Sequence, residues 1–279
     1  MFIVKKTIDL QNAIKNHSIV EKGFIPTMGA LHQGHISLVN RSTKENGLTI
    51  CSIFINPTQF NDSADFSKYP ITIDTDIELL EKAGCDILFL PSVAEIYPDG
   101  TKSPINYELG DLEKVFEGEF RPGHFQGVCQ VMDRLVKITK PTNLYLGQKD
   151  YQQCKVIGRL IEMKMFDCVI KICPTQRELS GLAMSSRNVR LSILAKEKAS
   201  AIFKSLMYCK DNYLKESPDH LKNWGTALLT ENGFDVEYFE IVDADTFRLI
   251  TNWNENQSVV VLVAAFIEGV RLIDNRIIH

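Results

Sequence analysis

The sequence predicts an α/β protein: a parallel sheet with crossover helices, followed by a smaller α+β domain. Three observations carry that expectation. Apolar runs of strand length alternate with amphipathic stretches through the first two thirds of the chain, which is the pattern of β-α-β units. After about residue 190 the texture changes to a long charged helical pattern, a Ser-Pro break at 217 and 218, a second short helix and two β-rich runs. A length of 279 residues, with 44% hydrophobic and 24% charged, suffices for real cores in two domains. These are drawn at 1–175 and 176–279.

In chain order, strands are expected at 23–26, 48–56, 86–91, 143–147 and 169–174. Helices are expected between them at 35–46, 74–83, 124–139 and 150–165, where apolar residues recur at three and four spacing. In the second of these, Ile77, Leu79, Leu80 and Ala83 form the stripe and Gly84 ends it. Beyond them a helix is expected over 192–215, another running to 231, and β-rich runs over 235–242 and 257–273. The sequence shows neither an internal repeat nor a low-complexity segment.

Composition excludes several classes. A formal charge of −4 and a pI near 5.9 do not suit a chain built to coat nucleic acid. The longest apolar run, 259–267, ends at Glu268 and is far shorter than a membrane span. At the N-terminus, Lys5 and Lys6 follow the short apolar run, the reverse of a secretory signal. Seven cysteines, an odd number without a close Cys-x-x-Cys pair, point to reduced, core-packed thiols in a cytoplasmic protein.

The most informative segment is Pro26-Thr27-Met28-Gly29-Ala30-Leu31-His32-Gln33-Gly34-His35, between the first expected strand and its helix. In open α/β sheets ligands bind at the carboxyl ends of strands, where helix N-termini offer amides and a positive dipole end to phosphate. Two imidazoles three apart at a helix start lie on one face, where both can donate to the same phosphate oxygens. From the histidine and glycine content, about 0.007 chance matches to His-x-Gly-His are expected in the chain.

Other motifs fall at the same edge. Asn56-Pro57-Thr58-Gln59 follows the second strand, and primary amides there can serve both the carboxylate and the hydroxyl of a small hydroxy acid; as bare sequence, Asn-Pro is also a turn starter. Gly147-Gln148-Lys149-Asp150 follows the fourth strand: Lys149 can meet phosphate, and Asp150 can hold magnesium, bind a ribose hydroxyl, or simply favour a helix start. Met184-Ser185-Ser186-Arg187-Asn188 reads as a surface loop whose hydroxyls and guanidinium suit a departing pyrophosphate. Arg121-Pro122-Gly123-His124 reads as a turn and helix cap. Tyr69, in Lys68-Tyr69-Pro70, either covers a pocket or packs. His17, His220 and His279 have no evident partners in sequence.

Taken in order, Pro26 to His35, Ser52-Ile53-Phe54-Ile55-Asn56-Pro57-Thr58-Gln59-Phe60, Lys68-Tyr69-Pro70, Arg121 to Phe125, Gly147 to Gln153 and Gly181 to Asn188 resemble the motifs of the pantoate:β-alanine ligase family, within the nucleotidylyltransferase superfamily. The resemblance implies a Rossmann-like N-terminal domain and ATP-dependent condensation of (R)-pantoate with β-alanine through a pantoyl adenylate. It implies ATP contacts at Met28, Gly29, Ala30, Leu31, His32, Gln33, Gly34, His35, Gly147, Gln148, Lys149, Asp150, Gln176, Met184, Ser185, Ser186 and Arg187. His32, His35 and Lys149 would be catalytic, Gln59, Gln153 and Asn56 would bind substrate, and Asp150 would hold Mg²⁺. The family pattern further implies a homodimer, while charge and hydropathy give no expectation of a nucleic-acid or membrane partner. Departures from that pattern are Gln33 and Gln148 where Glu is usual, Ser180 for a frequent Asp, Ala64 for a frequent Glu and Ile71 for a frequent Arg. Two alternatives stand beside this reading: another adenylyl or cytidylyl transferase of the superfamily, and a non-catalytic nucleotide-binding regulator on the same scaffold.

Overall fold

Each apolar run of the first two thirds folds as a parallel strand. The computed structural model describes residues 1–17, 21–61, 63–102 and 105–279; side chains 63 and 64 are not among them, so the departure at Ala64 lies outside the described residues. In order the elements are β1 (Phe2–Val4), α1 (Thr7–Asn16), β2 (Lys22–Thr27), α2 (Gln33–Glu45), β3 (Leu48–Ile53), α3 (Ser63–Ser67), α4 (Ile73–Lys82), β4 (Ile87–Phe89) and α5 (Val93–Ile96). There follow α6 (Glu117–Phe120), α7 (His124–Thr139), β5 (Asn143–Gly147), α8 (Tyr151–Lys164), β6 (Val169–Cys173), α9 (Ile193–Asp211), α10 (Pro218–Glu231), β7 (Asp235–Asp243), β8 (Val259–Ile267) and β9 (Val270–Ile277). No helix of the described residues is long and apolar enough to cross a membrane.

The chain divides into two compact units, Met1–Gly147 with Gln152–Pro174, and Gln148–Tyr151 with Thr175–His279. The first holds a six-stranded parallel sheet in the order β1-β4-β3-β2-β5-β6. Alternate strand residues feed two cores, as the period of two requires. Phe24, Ile50, Ile87, Phe89, Leu144 and Leu146 pack with Leu10 of α1, with Phe125, Val128, Met132 and Leu135 of α7, and with Val156 and Leu160 of α8. Ile25, Cys51, Leu88 and Tyr145 pack on the other face with Leu38 and Val39 of α2 and Leu80 of α4. Burying each such large side chain contributes roughly 1.5–3 kcal/mol.

The second unit packs α9 and α10 on an antiparallel sheet ordered β7-β8-β9. Its last β-rich run, read as one segment over 257–273, is a hairpin: Glu268 and Gly269 turn the chain with φ of 50° and 71°, the left-handed pair that a tight two-residue turn demands. Two further differences stand at the other end. β1 and α1 have no counterpart among the expected elements; β1 has only three residues, and α1 starts from Lys6 without a side-chain cap. β3 stops at Ile53, three residues short of the expected end, where its register with β2 closes at Thr27.

Candidate active site

The strand order places β2 between β3 and β5, so the chain reverses direction across the sheet at β2. Such a switch point is where ligands enter open α/β sheets. Here it is physically open. β2 pairs with β3 over six residues, from Lys22 with Leu48 to Thr27 with Ile53, whereas its register with β5 covers Gly23 with Asn143 and Phe24 with Leu144. β2 and β5 therefore part toward their carboxyl ends, at the point where the histidine loop leaves β2.

That loop is shaped from within. His32 caps α2: its Nδ1 accepts from the Gly34 amide at 3.1 Å, while Nδ1 of His35 accepts from the His32 amide at 3.3 Å. This is a capping box made of two imidazoles. Its consequence is chemical: a ring nitrogen that accepts from an N–H carries no proton, so both rings hold theirs on Nε2. The rings lie 4.1 Å apart, tilted by 40°. Gly29, at φ 82°, has no room for a side chain, since a Cβ would come within 3.0 Å of Ile53 and 3.1 Å of Asp76.

The expectation of a row of amides open to phosphate is corrected here. The amides of Ala30 and Leu31 donate to the two carboxylate oxygens of Asp76 at 3.0 and 2.8 Å, and that of Gly29 to the Thr27 hydroxyl at 3.3 Å. The amides of His35 and Ile36 return to the His32 carbonyl. Asp76 is fully buried in α4 and also accepts from the Thr72 hydroxyl. Sequence reading missed it, because nothing near residue 76 marks a carboxylate whose partners lie 45 positions away.

Gln59 ends a one-turn 3₁₀ segment, Pro57–Gln59, capped by Asn56. Its Nε2 donates to the Met28 sulfur at 3.0 Å, joining the segments that follow β2 and β3. Asn56 is 1% exposed, and its expected substrate contact is also corrected. Its two amide protons go to Gln59 Oε1 and the Gly127 carbonyl, both at 3.1 Å, and its oxygen accepts from the Tyr97 hydroxyl at 2.7 Å and from Thr58. Asn56 has no group left for a ligand; it orients Gln59. Gly127 permits this contact, since a Cβ there would lie 2.0 Å from the Thr58 carbonyl.

His124, buried at the start of α7, fixes the same turn. Arg121 donates to its Nε2 at 3.1 Å, so Nδ1 carries the proton and donates to the Gln59 carbonyl at 2.8 Å. Tyr69 packs edge-on against Phe60. His220 and His279 do have partners, Glu216 and the Glu255 carbonyl.

In the second unit, Gln148–Asp150 forms a 3₁₀ turn and α8 begins at Tyr151. The helix expected from residue 150 therefore begins one residue later, after the 3₁₀ turn. Gln153 lies half-buried on α8. Lys149, 18% exposed, has its ammonium 3.5 Å from Asp150. The segment read as an open loop is built: Arg177 bridges Ala183, the Met184 amide donates to the Gln176 carbonyl at 2.9 Å, and Gly181 turns at φ 92°. Ser185 then caps a 3₁₀ turn, Ser186–Arg190, by accepting from the Arg187 amide. Ser180 does the turn work of an Asp, its hydroxyl accepting from the Leu182 amide at 3.4 Å.

None of the seven cysteines is in a disulfide, and six are buried. Burial pushes the thiols of Cys85, Cys129 and Cys209 up to about 12, so they are poor nucleophiles. Among the described residues no three His, Cys, Asp or Glu side chains gather into a metal cage. Asp150, 46% exposed, fits a hard cation whose remaining ligands are phosphate oxygens and water.

Comparison with known proteins gives one answer. The family model for pantoate-beta-alanine ligase matches residues 2–277. A pantothenate synthetase of Cytophaga hutchinsonii is 46% identical over 267 residues, covering 95% of this chain and 93% of that protein. One from Bacteroides fragilis is 46% identical, covering 91% of this chain and 89% of its own. Among solved structures, pantothenate synthetase from Thermus thermophilus superposes with a TM-score of 0.93 at 36% identity over all of both chains. A pantoate-beta-alanine ligase from Francisella tularensis, complexed with beta-gamma ATP and beta-alanine, gives 0.81 at 37% identity over 99% of this chain and 97% of that one.

Proposed function

The chain belongs to the pantoate-beta-alanine ligase family, and we propose that it condenses (R)-pantoate with β-alanine in two steps, through a pantoyl adenylate, releasing AMP and pyrophosphate. It is an ATP-dependent ligase. An amine does not displace hydroxide from a carboxylate at neutral pH, so the carboxylate first needs a better leaving group, and adenylation supplies one. The observation that carries the reading is the parting of β2 and β5 at the switch point, beneath a loop with two Nε2–H donors.

The roles follow from the chemistry of each group. The Nε2 protons of His32 and His35 meet charge developing on the α-phosphate, in the manner of an oxyanion hole. Gln59, and Gln153 from α8, hold pantoate with its carboxylate in line for attack. Lys149 neutralises the departing pyrophosphate, with Ser185, Ser186 and Arg187 as further donors and Gln176 toward the adenine. Asp150 would hold Mg²⁺, which supplies charge neutralisation on the phosphates when bound. Of the domains expected at 1–175 and 176–279, the first would serve nucleotide and pantoate and the second would contribute the phosphate loop, with the lysine turn belonging to the second compact unit. Free, buried thiols support a cytoplasmic location, and a homodimer is expected on light scattering.

The test is AMP release with each substrate omitted in turn. AMP and pyrophosphate should form in equal amounts only when pantoate, β-alanine and ATP are all present. A product that retains the nucleotide would mean another transferase of the superfamily, and tight ATP binding without turnover would mean a regulator.

A further inference from the structure

The last strand touches both phosphate-handling segments of the second unit. Asn275 of β9 is 2% exposed and donates its two amide protons to consecutive carbonyls, those of Gln148 at 2.9 Å and Lys149 at 2.8 Å. Its oxygen accepts from the Gln148 side chain at 3.3 Å. The neighbouring Asp274, 4% exposed, takes Arg177 in a two-pronged ion pair. Arg177 also donates to the Gly181 carbonyl at 3.1 Å and lies over the Phe203 ring at 4.5 Å, pinning the bridge from which Met184 to Arg187 run on.

A 3₁₀ turn of three residues makes few and poorly aligned bonds of its own. The Gln148–Asp150 turn therefore depends on outside donors to its carbonyls, and Asn275 supplies two. We propose that Asn275 and Asp274 are positioning residues for the adenylation half-reaction: Asn275 fixes the backbone that carries Lys149, and Asp274 fixes the bridged segment that carries Ser185, Ser186 and Arg187. The inference deepens the proposed function and rests on its assignment of Lys149 and Arg187 to the phosphates of ATP.

The experiment separates positioning from mere packing. Adenylation is followed as pantoate-dependent exchange of labelled pyrophosphate into ATP, and the second half as β-alanine attack on supplied pantoyl adenylate. Asn275→Ala should lower exchange at saturating substrates by about 10- to 100-fold, the scale of a displacement near 1 Å, and leave the second half within about twofold. In a Lys149→Ala background it should cost nothing further, because the group it positions is gone. Asp274→Asn should raise the KM for ATP about tenfold with kcat nearly held. If Asn275→Ala does not fold by circular dichroism, Asn275→Ser, which keeps one donor, carries the same comparison. Wild-type exchange in the Asn275 variant, equal loss in both halves, or multiplication of its effect on that of Lys149→Ala would overturn the positioning role of Asn275; an unchanged KM in Asp274→Asn would overturn that of Asp274. Normal exchange in Lys149→Ala alone would instead overturn the underlying assignment.

Discussion

The histidine loop and the lysine turn face the same physical problem, that of holding a polar side chain still just beyond a strand end, and they meet it over very different sequence distances. In the loop the rings are fixed by bonds spanning two and three residues, His32 to Gly34 and His35 to His32. In the turn the backbone of Gln148 and Lys149 is fixed by Asn275, more than 120 residues on. A local device can be seen as a spacing in the sequence; a distant one cannot, because one amide in a β-strand looks like any other until the strand is docked.

The comparison predicts first that the loop's local device has two separable parts. His35→Ala removes an Nε2 donor and also the acceptor for the His32 amide. Exchange of pyrophosphate into ATP should fall about 100- to 1,000-fold, and the urea midpoint should drop by the equivalent of about 1 kcal/mol. His35→Glu restores an acceptor at the third helical position, as in an ordinary capping box. It should recover the stability and none of the exchange. Recovery of both would mean that the ring serves only the cap, and near-normal exchange in the alanine variant would remove His35 from the mechanism.

The loop is not wholly local, and Asp76 measures by how much. Asp76→Asn turns an NH₂ toward one of the amides of Ala30 and Leu31, so one buried bond becomes a clash of donors. A loss of roughly 1–3 kcal/mol in stability is expected, with exchange lower by about tenfold as the loop shifts. Stability lost with exchange intact would show that the capped rings hold their place without the carboxylate, which would sharpen the contrast with the lysine turn.

The same division explains what was legible. The four inner strands, β4, β3, β2 and β5, and their helices followed from apolar periodicity because both faces of the sheet are buried there, and Phe24 and Ile25 feed different cores. Periodicity could not find β1, which is three residues at a sheet edge with Phe2 and Ile3 exposed. Nor could it divide 257–273, since the apolar run of β8 continues across the turn into Val270, Leu272 and Ile273 of β9 and Glu268 is an unusual residue at positive φ. Around the candidate site, motif spacing singled out His32, His35, Gln59 and Lys149, which follow β2, β3 and β5. It misread Asn56, whose amide reads the same in sequence whether it meets a ligand or, as here, the Gly127 carbonyl, and it gave no hint of Asp76, Asp274 or Asn275.

The smallest effect asks whether locality by itself confers function, and Asp243 is suited to the question. It closes β7 with bonds as local as those of the histidine loop, accepting from the Thr246 amide at 2.6 Å and hydroxyl at 2.7 Å and from the Asp245 amide at 3.1 Å, with Gln257 at 3.0 Å. Burial alone pushes its carboxyl up, but these bonds outweigh it and hold the group at about 2. The unfolded carboxyl titrates near 3.9, so the folded state favours the ionised form. The stabilisation is fully present above about pH 4 and is lost as pH falls through about 2. Asp243→Asn should therefore be less stable by about 1 kcal/mol at neutral pH, with the gap to wild type closing between pH 4 and 2 and with exchange unchanged throughout. An equal gap at both pH values would mean that shape rather than charge holds the turn. A loss of exchange would mean that this turn, though local and outside the histidine loop and the lysine turn, bears on the chemistry, and the line drawn between local caps and distant anchors would then lie in the wrong place.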